Sequence, residues 1–415
     1  MGNVEMNETV SRRTAIKSIG AAGAVGLAGC STDSGGSGEN TISMGILMGV
    51  TGGLSEVGPA IRDGANLAVK QVRDADNGFS VDTQFENTET KPSRGVSGAE
   101  ALVNSGYPMI CGGLASSVTL QVAKNVAVPN QVVMCSPSAT SPDLTGLNDN
   151  DFVFRTPPTD KLQGSLLAKI AAERLDKDSA SVLYLNNAYG NGLSAGFSET
   201  FSGEYDGNVM NKVSYSAGRS SYTSQLQKAL DGNPETMLIV GYPESGTKIF
   251  RNFYGSFDRN DMDILVPDGL RADDLPGNVG HDMTNVRGTN PSSAGPGIEF
   301  FNEEYKSEYG SAPGPFNQQS FDAAATLMLA YAAADDDSGA RIRKNMRPVT
   351  GSGGEKIGPE NLGEGVKMAA DGKEINYQGV SGPVEFDDNG DLASAVYNYF
   401  KYTENSTENI EQISV

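Results

Sequence analysis

Short apolar runs alternate with amphipathic segments over most of the chain, and this alternation limits the fold more than any other feature. The apolar runs lie at 42–50, 107–111, 131–135, 181–185, 236–240 and 262–266. Amphipathic segments with helical spacing lie between them, at 59–75, 117–126, 161–175, 193–204 and 247–254. Because the runs lack a strict alternation of polar residues, they are typical of strands buried on both faces. The pattern predicts an α/β protein with doubly wound parallel sheets covered by helices.

The length of 415 residues exceeds what one hydrophobic core usually supports, so we expect two lobes. Late in the chain, residues 317–334 are rich in Ala, Leu and Met and predict one long helix. Residues 379–386 and 393–402 predict two strands joined by the polar turn 387–391. A calcium loop is the alternative for this turn, but Gly390 stands at the wrong position and no closing Glu follows.

The N-terminal residues have the order of an export signal. Arg12 and Arg13 precede a short run at 19–28 that is rich in Gly and Ala, and residues 27–30 read Leu-Ala-Gly-Cys. The run is too short to span a bilayer, which takes about 20 helical residues. The arginine pair resembles a twin-arginine signal and Cys30 resembles a lipoprotein cleavage site. We expect a signal peptide at 1–29, then a lipid anchor on Cys30 and a flexible tether to residue 40; an uncleaved membrane anchor is the alternative.

The net charge of −21 restricts the partners and the medium. Such a surface repels nucleic acid and anionic lipid headgroups. Concentrated salt screens charge repulsion over a few ångströms, so the charge favours a halophilic source. An ordinary acidic surface is the alternative interpretation.

Few residues are available for catalysis or metal binding. His281 is the single histidine, which excludes zinc sites built from several histidines. Residues 192–196 match the nucleophile pattern of serine hydrolases, but Ser194 falls inside a predicted helix rather than directly after a strand. Cys111 and Cys135 each end an apolar run, so we predict two buried free thiols rather than a disulfide. We therefore expect no enzyme activity, no cofactor and no metal.

Glycines and hydroxyl residues follow several predicted strands. They lie at 49–55 after the first run, at 112–117 after the second and at 136–140 after the third. In doubly wound sheets, ligands bind outside the carboxyl ends of the strands. Hydroxyls and free N–H groups at helix starts suit an anion such as a carboxylate. Each hydroxyl could instead cap a helix or turn, but their shared place at strand ends favours a binding site.

These segments, in their order along the chain, resemble the extracellular solute-binding proteins of ABC importers, in the branched-chain amino-acid (Leu/Ile/Val) binding family. The resemblance covers residues 42–402. Residues 188–192 (Ala-Tyr-Gly-Asn-Gly) are similar to the family's Tyr-Gly-x-Gly turn, and Phe321 stands where the family's Tyr-Asp-Ala motif has its tyrosine. The other segments that carry the resemblance are 48–52, 63–69, 112–119, 136–145, 154–156 and 382–391.

The resemblance implies a binding site for a zwitterion. The hydroxyls of Ser116 and Thr140 would hydrogen-bond the α-carboxylate of the ligand, with backbone help from Ser138 and Ala139. A zwitterion also needs an acid for its ammonium group.

The second lobe would supply the remaining contacts. Asp268, in a Val-Pro-Asp-Gly segment, matches the family's carboxylate that pairs with the α-amino group, although Glu is frequent there. Tyr189 and Tyr242 would close over the ligand. The loop at 52–57 departs from the family's usual side-chain pocket, which leaves leucine-like specificity open.

The resemblance also implies a type I periplasmic-binding fold with two lobes joined by crossover hinge segments. We expect the first lobe at 41–157 and 272–350, and the second at 158–271 and 351–415. The protein would deliver an amino acid or a related small polar solute to permease subunits in the membrane, outside the cytoplasm. A ligand-sensing domain of a signalling system, and urea or a short amide as the ligand, are the alternatives.

Overall fold

A computed structural model describes residues 40–415. The predicted export signal, Cys30 and nearly all of the predicted tether lie outside the described residues. Asn40, the last residue assigned to the predicted tether, is the first residue of strand β1. The described chain forms two sheets, each with helices packed against it, and a separate two-stranded sheet. The predicted α/β class with two parallel-sheet lobes is confirmed.

The first lobe is built on a five-stranded parallel sheet with the order β2-β1-β3-β4-β5. Its strands are β1 Asn40–Met48, β2 Phe79–Asn87, β3 Met109–Gly112, β4 Val133–Ser136 and β5 Val153–Arg155. The early helices are α1 Gly58–Asp74, α2 Pro92–Asn104, α3 Ser116–Val122 with a π-helical extension Ala123–Ala127, and α4 Pro142–Thr145. Later segments complete the lobe: α10 Ile298–Tyr309, α11 Asn317–Ala333, α12 Gly339–Ile342, β11 Glu355–Ile357, α13 Leu362–Ala370 and β12 Ile375–Tyr377.

The second lobe is built on a seven-stranded sheet with the order β14-β13-β10-β9-β8-β6-β7. Strands β6 to β10 are parallel, whereas β13 and β14 run antiparallel to their neighbours. The strands are β6 Ser179–Leu185, β7 Asn208–Tyr215, β8 Thr236–Val240, β9 Asp263–Val266, β10 Val286–Pro291, β13 Val396–Tyr402 and β14 Thr407–Ser414. The helices are α5 Asp160–Lys169 with a π-helical extension Ile170–Arg174, α6 Ala188–Gly203, α7 Thr223–Ala229, α8 Pro243–Ser256 and α9 Leu275–Val279.

Both sheets carry the doubly wound order in which the second strand lies outside the first. The order is β2-β1-β3 in the first lobe and β7-β6-β8 in the second. The chain therefore reverses direction across the sheet between β1 and β3, and again between β6 and β8. Loops that leave the carboxyl ends of these strands open a crevice between them, where ligands bind in such sheets.

Three segments cross between the lobes, at 156–159, 292–297 and 378–395. The predicted lobe boundaries are wrong at the last two. Strand β10 and helix α9 lie in the stretch assigned to the first lobe, but β10 pairs with β9 and α9 packs on α8 in the second lobe. Helix α13 lies in the stretch assigned to the second lobe, but it packs against α1 and α11 of the first lobe. The chain thus returns to the first lobe after β10, and leaves it again after β12.

One predicted strand is also wrong. Residues 379–386 form only isolated bridges, at Gln378 with Pro383 and at Phe386 with Leu392, within the third crossover. The predicted strand at 393–402 corresponds to β13, but β13 pairs with β10 and β14 instead. Crossover segments leave one sheet and enter another, so their apolar residues pack without a full ladder of strand hydrogen bonds.

Arg155 joins the first crossover to the third. It ends β5, its side chain is 1% exposed, and its Nε and Nη2 donate to the carboxylate of Asp391 at 2.5 and 2.8 Å. Its Nη1 donates to the carbonyls of Ser141 at 2.7 Å and Ala139 at 3.3 Å, and Nη2 to the Thr145 hydroxyl at 2.7 Å. A buried charge is stable only when it is paired and hydrogen-bonded. This network therefore fixes the 139–145 loop relative to both crossovers.

A second buried acid holds the third crossover from the helix side. Asp322 in α11 accepts hydrogen bonds from the Tyr377 hydroxyl at 2.6 Å and the Val380 N–H at 2.8 Å. The N–H and the hydroxyl of Ser381 donate to its other oxygen at 2.8 and 2.5 Å. The predicted helix at 317–334 is confirmed as α11, and Phe321 packs edge-on against Phe301 in the core.

The structure also bears on the two thiols, on membrane-spanning helices and on metal-binding groups. Cys111 and Cys135 are buried and free, as predicted. Between residues 40 and 415, no helix is long and apolar enough to cross a membrane. Over the same residues, no group of three or more His, Cys, Asp or Glu side chains is arranged to hold a metal ion.

Replacement of Asp391 by Asn tests the Arg155 network. The amide keeps the shape of the carboxylate but leaves the buried guanidinium without a counter-charge. We expect the free energy of unfolding in urea to fall by about 3 kcal/mol. Asp388 lies in the same turn and is exposed, so Asp388→Asn should change it by less than about 0.5 kcal/mol. Equal effects of the two substitutions would contradict this role of Asp391.

Candidate ligand-binding site

A small enclosed cavity of about 30 Å³ lies between the lobes. The first lobe contributes mainly apolar side chains with two hydroxyls, and the second contributes two aromatic rings and charged groups. The residues around it are Leu54, Val57, Ile61, Leu114, Ser116, Ser138, Pro315 and Phe316 from the first lobe, and Tyr189, Tyr242, Asp268, Gly269 and Arg271 from the second. Most of these residues follow the carboxyl ends of strands, as the doubly wound order predicts.

The structure brings most of the predicted site residues together. Ser116, Ser138, Tyr189, Tyr242 and Asp268 border this cavity. Thr140 and Ala139 lie in the loop behind it and do not border it.

Ser116 connects the two hydroxyl-bearing loops of the first lobe. It begins α3, and its Oγ accepts hydrogen bonds from the N–H groups of Thr140 at 3.2 Å and Ser141 at 3.3 Å. Two donors occupy the acceptor side of the hydroxyl, so its own hydrogen is left to donate elsewhere. The Ser138 hydroxyl donates to the Leu114 carbonyl at 3.1 Å.

Thr140 and Ala139 differ in the hydrogen bonds that their hydroxyl and N–H groups already make. Thr140 is 1% exposed, and its hydroxyl makes no hydrogen bond of regular geometry among the described residues, although it lies close enough to the Asp160 carboxylate to lower the pKa of that acid. The Ala139 N–H donates to the Ser136 hydroxyl at 3.0 Å. The predicted backbone contribution of Ala139 to ligand binding stays a prediction, and in this structure its N–H is already engaged.

Two tyrosines form the wall of the site on the second lobe. The rings of Tyr189 and Tyr242 are stacked, with centroids 5.5 Å apart and planes 10° from parallel. The Tyr189 hydroxyl accepts from the Gly269 N–H at 3.0 Å and donates to Asp268 Oδ2 at 3.4 Å. The amide of Asn187 donates to the Tyr242 hydroxyl at 3.5 Å. Burial raises the pKa of both tyrosines, so they act as neutral hydroxyls.

Asp268 is the acid that the second lobe presents to this cavity. The residue is 6% exposed, and Oδ1 has no hydrogen bond of regular geometry in the described part of the chain. Burial raises its pKa to about 7, although the Gln163 amide and the Tyr189 hydroxyl beside the carboxylate oppose this shift. An unpaired buried carboxylate is costly, and a cation beside it would remove that cost.

Asp160 is a second buried acid that the sequence did not indicate as a site residue. It begins α5 directly after the first crossover and is fully buried. Neither carboxylate oxygen accepts a hydrogen bond of regular geometry among residues 40–415. Burial raises its pKa well above the ordinary value and the charge of Asp268 raises it further, while the nearby Thr140 hydroxyl and the charge of Arg155 oppose the shift. In the sequence, Asp160 looks like an ordinary acid at a helix start; its place four residues after the crossover motif at 154–156 was the available signal.

Close approaches between the lobes explain the 188–192 motif. The Ala188 N–H donates to the Ser117 hydroxyl of the first lobe at 3.1 Å. A Cβ atom at Gly192 would lie 2.7 Å from Pro142 of the first lobe, and one at Gly190 would lie 1.9 Å from the Leu185 carbonyl oxygen. Only glycine fits at either position. The lobes are therefore in contact across the cleft.

The hydrolase alternative lacks its geometry. Ser194 lies inside α6 with a buried hydroxyl that has no hydrogen-bond partner among the described residues. His281 stacks on Tyr254, and its Nδ1 lies at hydrogen-bond distance from the Asp282 carbonyl. A serine nucleophile needs a base within hydrogen-bond reach, and the two residues do not form this pair.

Comparison with known proteins identifies relatives over most of the chain. The family model for periplasmic binding proteins matches residues 41–397. A Leu/Ile/Val-binding protein homolog of Brucella melitensis is 25% identical over 381 residues, which cover 89% of this chain and 94% of the relative. The substrate-binding protein BasB of a chemotactic signal transduction system in Halobacterium salinarum is 25% identical over 315 residues, or 74% of this chain and 73% of the relative.

Solved structures share the fold. A leucine-binding protein from Thermotoga maritima superposes with a TM-score of 0.76 at 24% identity, covering 90% of this chain and 98% of that protein. The predicted type I periplasmic-binding fold is thereby confirmed.

The pKa of Asp268 generates a prediction for the ligand-free protein. A carboxyl group whose pKa is raised to about 7 opposes folding once it must ionise. Its contribution is fully present below about pH 4 and is lost as the pH rises to 7. The Asp268→Asn variant lacks this titration. Relative to the parent protein, its free energy of unfolding should increase between pH 4 and pH 8, by up to about 4 kcal/mol.

Urea unfolding at several pH values measures this difference. Asp258→Asn, which changes an exposed acid of the same lobe, should show no such trend. A difference between Asp268→Asn and the parent protein that stays constant with pH would contradict the raised pKa.

Proposed function

Because the chain belongs to the periplasmic binding protein family, we propose that it binds an amino acid or a related small polar zwitterion between its lobes. One observation carries the proposal. The first lobe presents a donor, the Ser116 hydroxyl, whose acceptor side is already filled. The second lobe presents the unpaired carboxylate oxygen of Asp268 across the same cavity. Together they complement a molecule with an anion at one end and an ammonium group at the other.

The α-carboxylate is held by the first lobe. Ser116 donates its hydroxyl hydrogen, and Thr140 donates a second once its hydroxyl turns from Asp160 toward the ligand. Ser138 fixes the loop through its bond to Leu114 rather than by contacting the ligand.

The ammonium group is held by the second lobe. It meets Asp268 Oδ1, the carboxylate oxygen that has no hydrogen-bond partner in the described part of the chain, on the residue that borders the cavity. Tyr189 and Tyr242 cover the ligand. Urea and short amides have no ammonium group for Asp268, so this pairing favours a zwitterion over them.

Binding acts through closure of the cleft. A ligand that contacts Ser116 and Asp268 together joins the two lobes, so it stabilises the closed form over the open one. Contacts such as Ala188 with Ser117 already join the two lobes, and opening of the cleft would break them. No covalent bond in the ligand changes, which agrees with a family of binding proteins rather than enzymes.

The closed protein delivers its ligand to permease subunits of an ABC importer outside the cytoplasm. The names of the Leu/Ile/Val-binding relatives support the binding of an amino acid, which is the first step of this role. A lipid on Cys30 would keep the protein at the outer face of the membrane. A halophilic source stays a prediction from the net charge.

A sensory role is the second candidate, because one relative belongs to a chemotactic signal transduction system. The import and sensory roles share the ligand-binding step. They differ in the membrane protein that binds the closed form. Deletion of an importer permease would abolish uptake of the ligand in the first case and leave it unchanged in the second.

Asp268→Asn tests the recognition of the ammonium group. The amide has no charge to pair with the ligand, and loss of a buried charged partner costs about 2–5 kcal/mol. A thermal-shift screen of the amino acids, urea and acetamide would first identify the best ligand of the parent protein. In titration calorimetry, affinity for that ligand should fall at least about 30-fold. Asp258→Asn should bind as the parent protein does; unchanged affinity of Asp268→Asn would refute the zwitterion assignment.

Cys30→Ser tests the proposed lipid anchor. A serine cannot take the thioether-linked lipid, so the protein should appear in the medium or accumulate as an unprocessed precursor. Fractionation of cells followed by immunoblotting measures this distribution. Normal recovery of the variant in the membrane fraction would count against the lipoprotein assignment.

A further inference from the structure

Arg271 borders two neighbouring cavities of the cleft. The small cavity of the binding site and a larger one of about 650 Å³ share Val57 and Pro315 from the first lobe and Arg271 from the second. The larger cavity runs between the same two lobes and is lined by several amide side chains. A ligand side chain that extends out of the small cavity along this route would therefore pass the guanidinium group.

The guanidinium group is held in place but has no ionic partner. Its Nη1 donates to Asn290 Oδ1, and its plane lies over the ring of Phe400, 4.8 Å from the centroid. Asn290 is itself fixed, because its amide nitrogen donates to the Pro291 carbonyl at 2.7 Å. Among residues 40–415, no carboxylate forms an ion pair with Arg271. Burial lowers the pKa of Arg271, and the charge of Asp273 opposes this shift only in part.

Nearby acids are directed elsewhere. Asp273 Oδ1 accepts from the N–H and the hydroxyl of Thr407, at 3.2 and 2.6 Å. Asp274 accepts from the Asn278 amide at 3.1 Å. Glu56 borders only the larger cavity, and burial together with the charges of Asp274 and Glu244 raises its pKa. These groups lower the potential around Arg271 without neutralising it through direct contact.

One short turn thus presents charges of both signs to the cleft. Asp268 begins the 3₁₀ turn Asp268–Leu270, and the Arg271 N–H closes it on the Asp268 carbonyl at 2.9 Å. The two side chains border the same cavity but form no ion pair with each other in the described structure. Each charge is therefore available to a separate group of one ligand.

We propose that Arg271 determines specificity by binding a second anionic group at the end of the ligand's side chain, so that the preferred ligands are amino acids with a side-chain carboxylate. This inference rests on the proposed function, since it requires the α-ammonium group at Asp268. The ligand's charges then match the site: the α-carboxylate meets hydroxyls, the ammonium meets Asp268, and the side-chain carboxylate meets the guanidinium group. A planar guanidinium suits a carboxylate because it donates two parallel hydrogen bonds.

The test compares acids with their amides on protein freed of bound ligand by unfolding and refolding. L-Glutamate and L-glutamine, and L-aspartate and L-asparagine, form matched pairs of nearly equal size. Titration calorimetry should give an affinity for at least one acid about 100-fold above that for its amide. In Arg271→Gln this ratio should fall to about one, and Arg271→Lys should keep part of it.

Arg251→Gln is the control, because Arg251 lies on α8 of the same lobe and is exposed. It should keep the full ratio. Because each ratio is measured within one variant, a loss of stability from removing the contact with Phe400 does not affect the comparison.

The outcomes separate this inference from the proposed function. If leucine or the amides bind as tightly as the acids, or if Arg271→Gln keeps the ratio, the role of Arg271 is overturned and amino-acid binding stands. If neither acidic nor neutral amino acids bind, the proposed function fails and the inference fails with it.

Discussion

The bidentate ion pair between Arg155 and Asp391 is the contact on which the arrangement of the site depends. Arg155 sits where the chain first leaves the first lobe, and Asp391 lies in the segment that crosses last. The same guanidinium holds the carbonyls of the loop that carries Thr140. Asp322 plays a similar part from α11, because it binds the start of the third crossover. The crossover segments must bend while they keep their positions relative to one another. Buried charges with fixed partners hold those positions.

The buried polar groups near the cleft, in contrast, lack fixed partners. Asp268 Oδ1, both oxygens of Asp160 and the Thr140 hydroxyl are buried without hydrogen-bond partners in the described part of the chain. Arg271 has one side-chain hydrogen bond and one aromatic contact. Protein interiors rarely leave such groups unsatisfied. Asp268 and Arg271 border the cavity between the two lobes, which supports the proposal that a polar, charged ligand binds there.

Sequence patterns predicted the centres of the sheets well and their edges poorly. Strands β1, β3, β4, β6, β8 and β9 were recognised because buried strands require unbroken apolar runs. Strands β7 and β14 lie at the edges of the second sheet and alternate between exposed and partly buried residues, so they carry no such run. Strand β10 reads Val-Arg-Gly-Thr-Asn-Pro and is central; without an apolar run it was missed, and the lobe boundary after residue 271 was misplaced with it.

Only part of the binding site was predicted from the sequence, because sequence patterns reveal local signals and not contacts between distant residues. Hydroxyls at strand ends and the Asp-Gly turn are local signals, so Ser116 and Asp268 were found. Asp391 and Arg271 depend on partners far away in the chain, such as Arg155 for Asp391, and local spacing does not reveal them. Likewise, the sequence could not show that Ser136 already occupies the Ala139 N–H.

A crystal structure of the protein with its tightest-binding amino acid tests the central claim most directly. We expect the ligand between the lobes, with its ammonium nitrogen about 3 Å from Asp268 Oδ1 and its α-carboxylate at a similar distance from the Ser116 hydroxyl. A ligand bound outside the cleft, or one whose ammonium group points away from Asp268, would contradict the account.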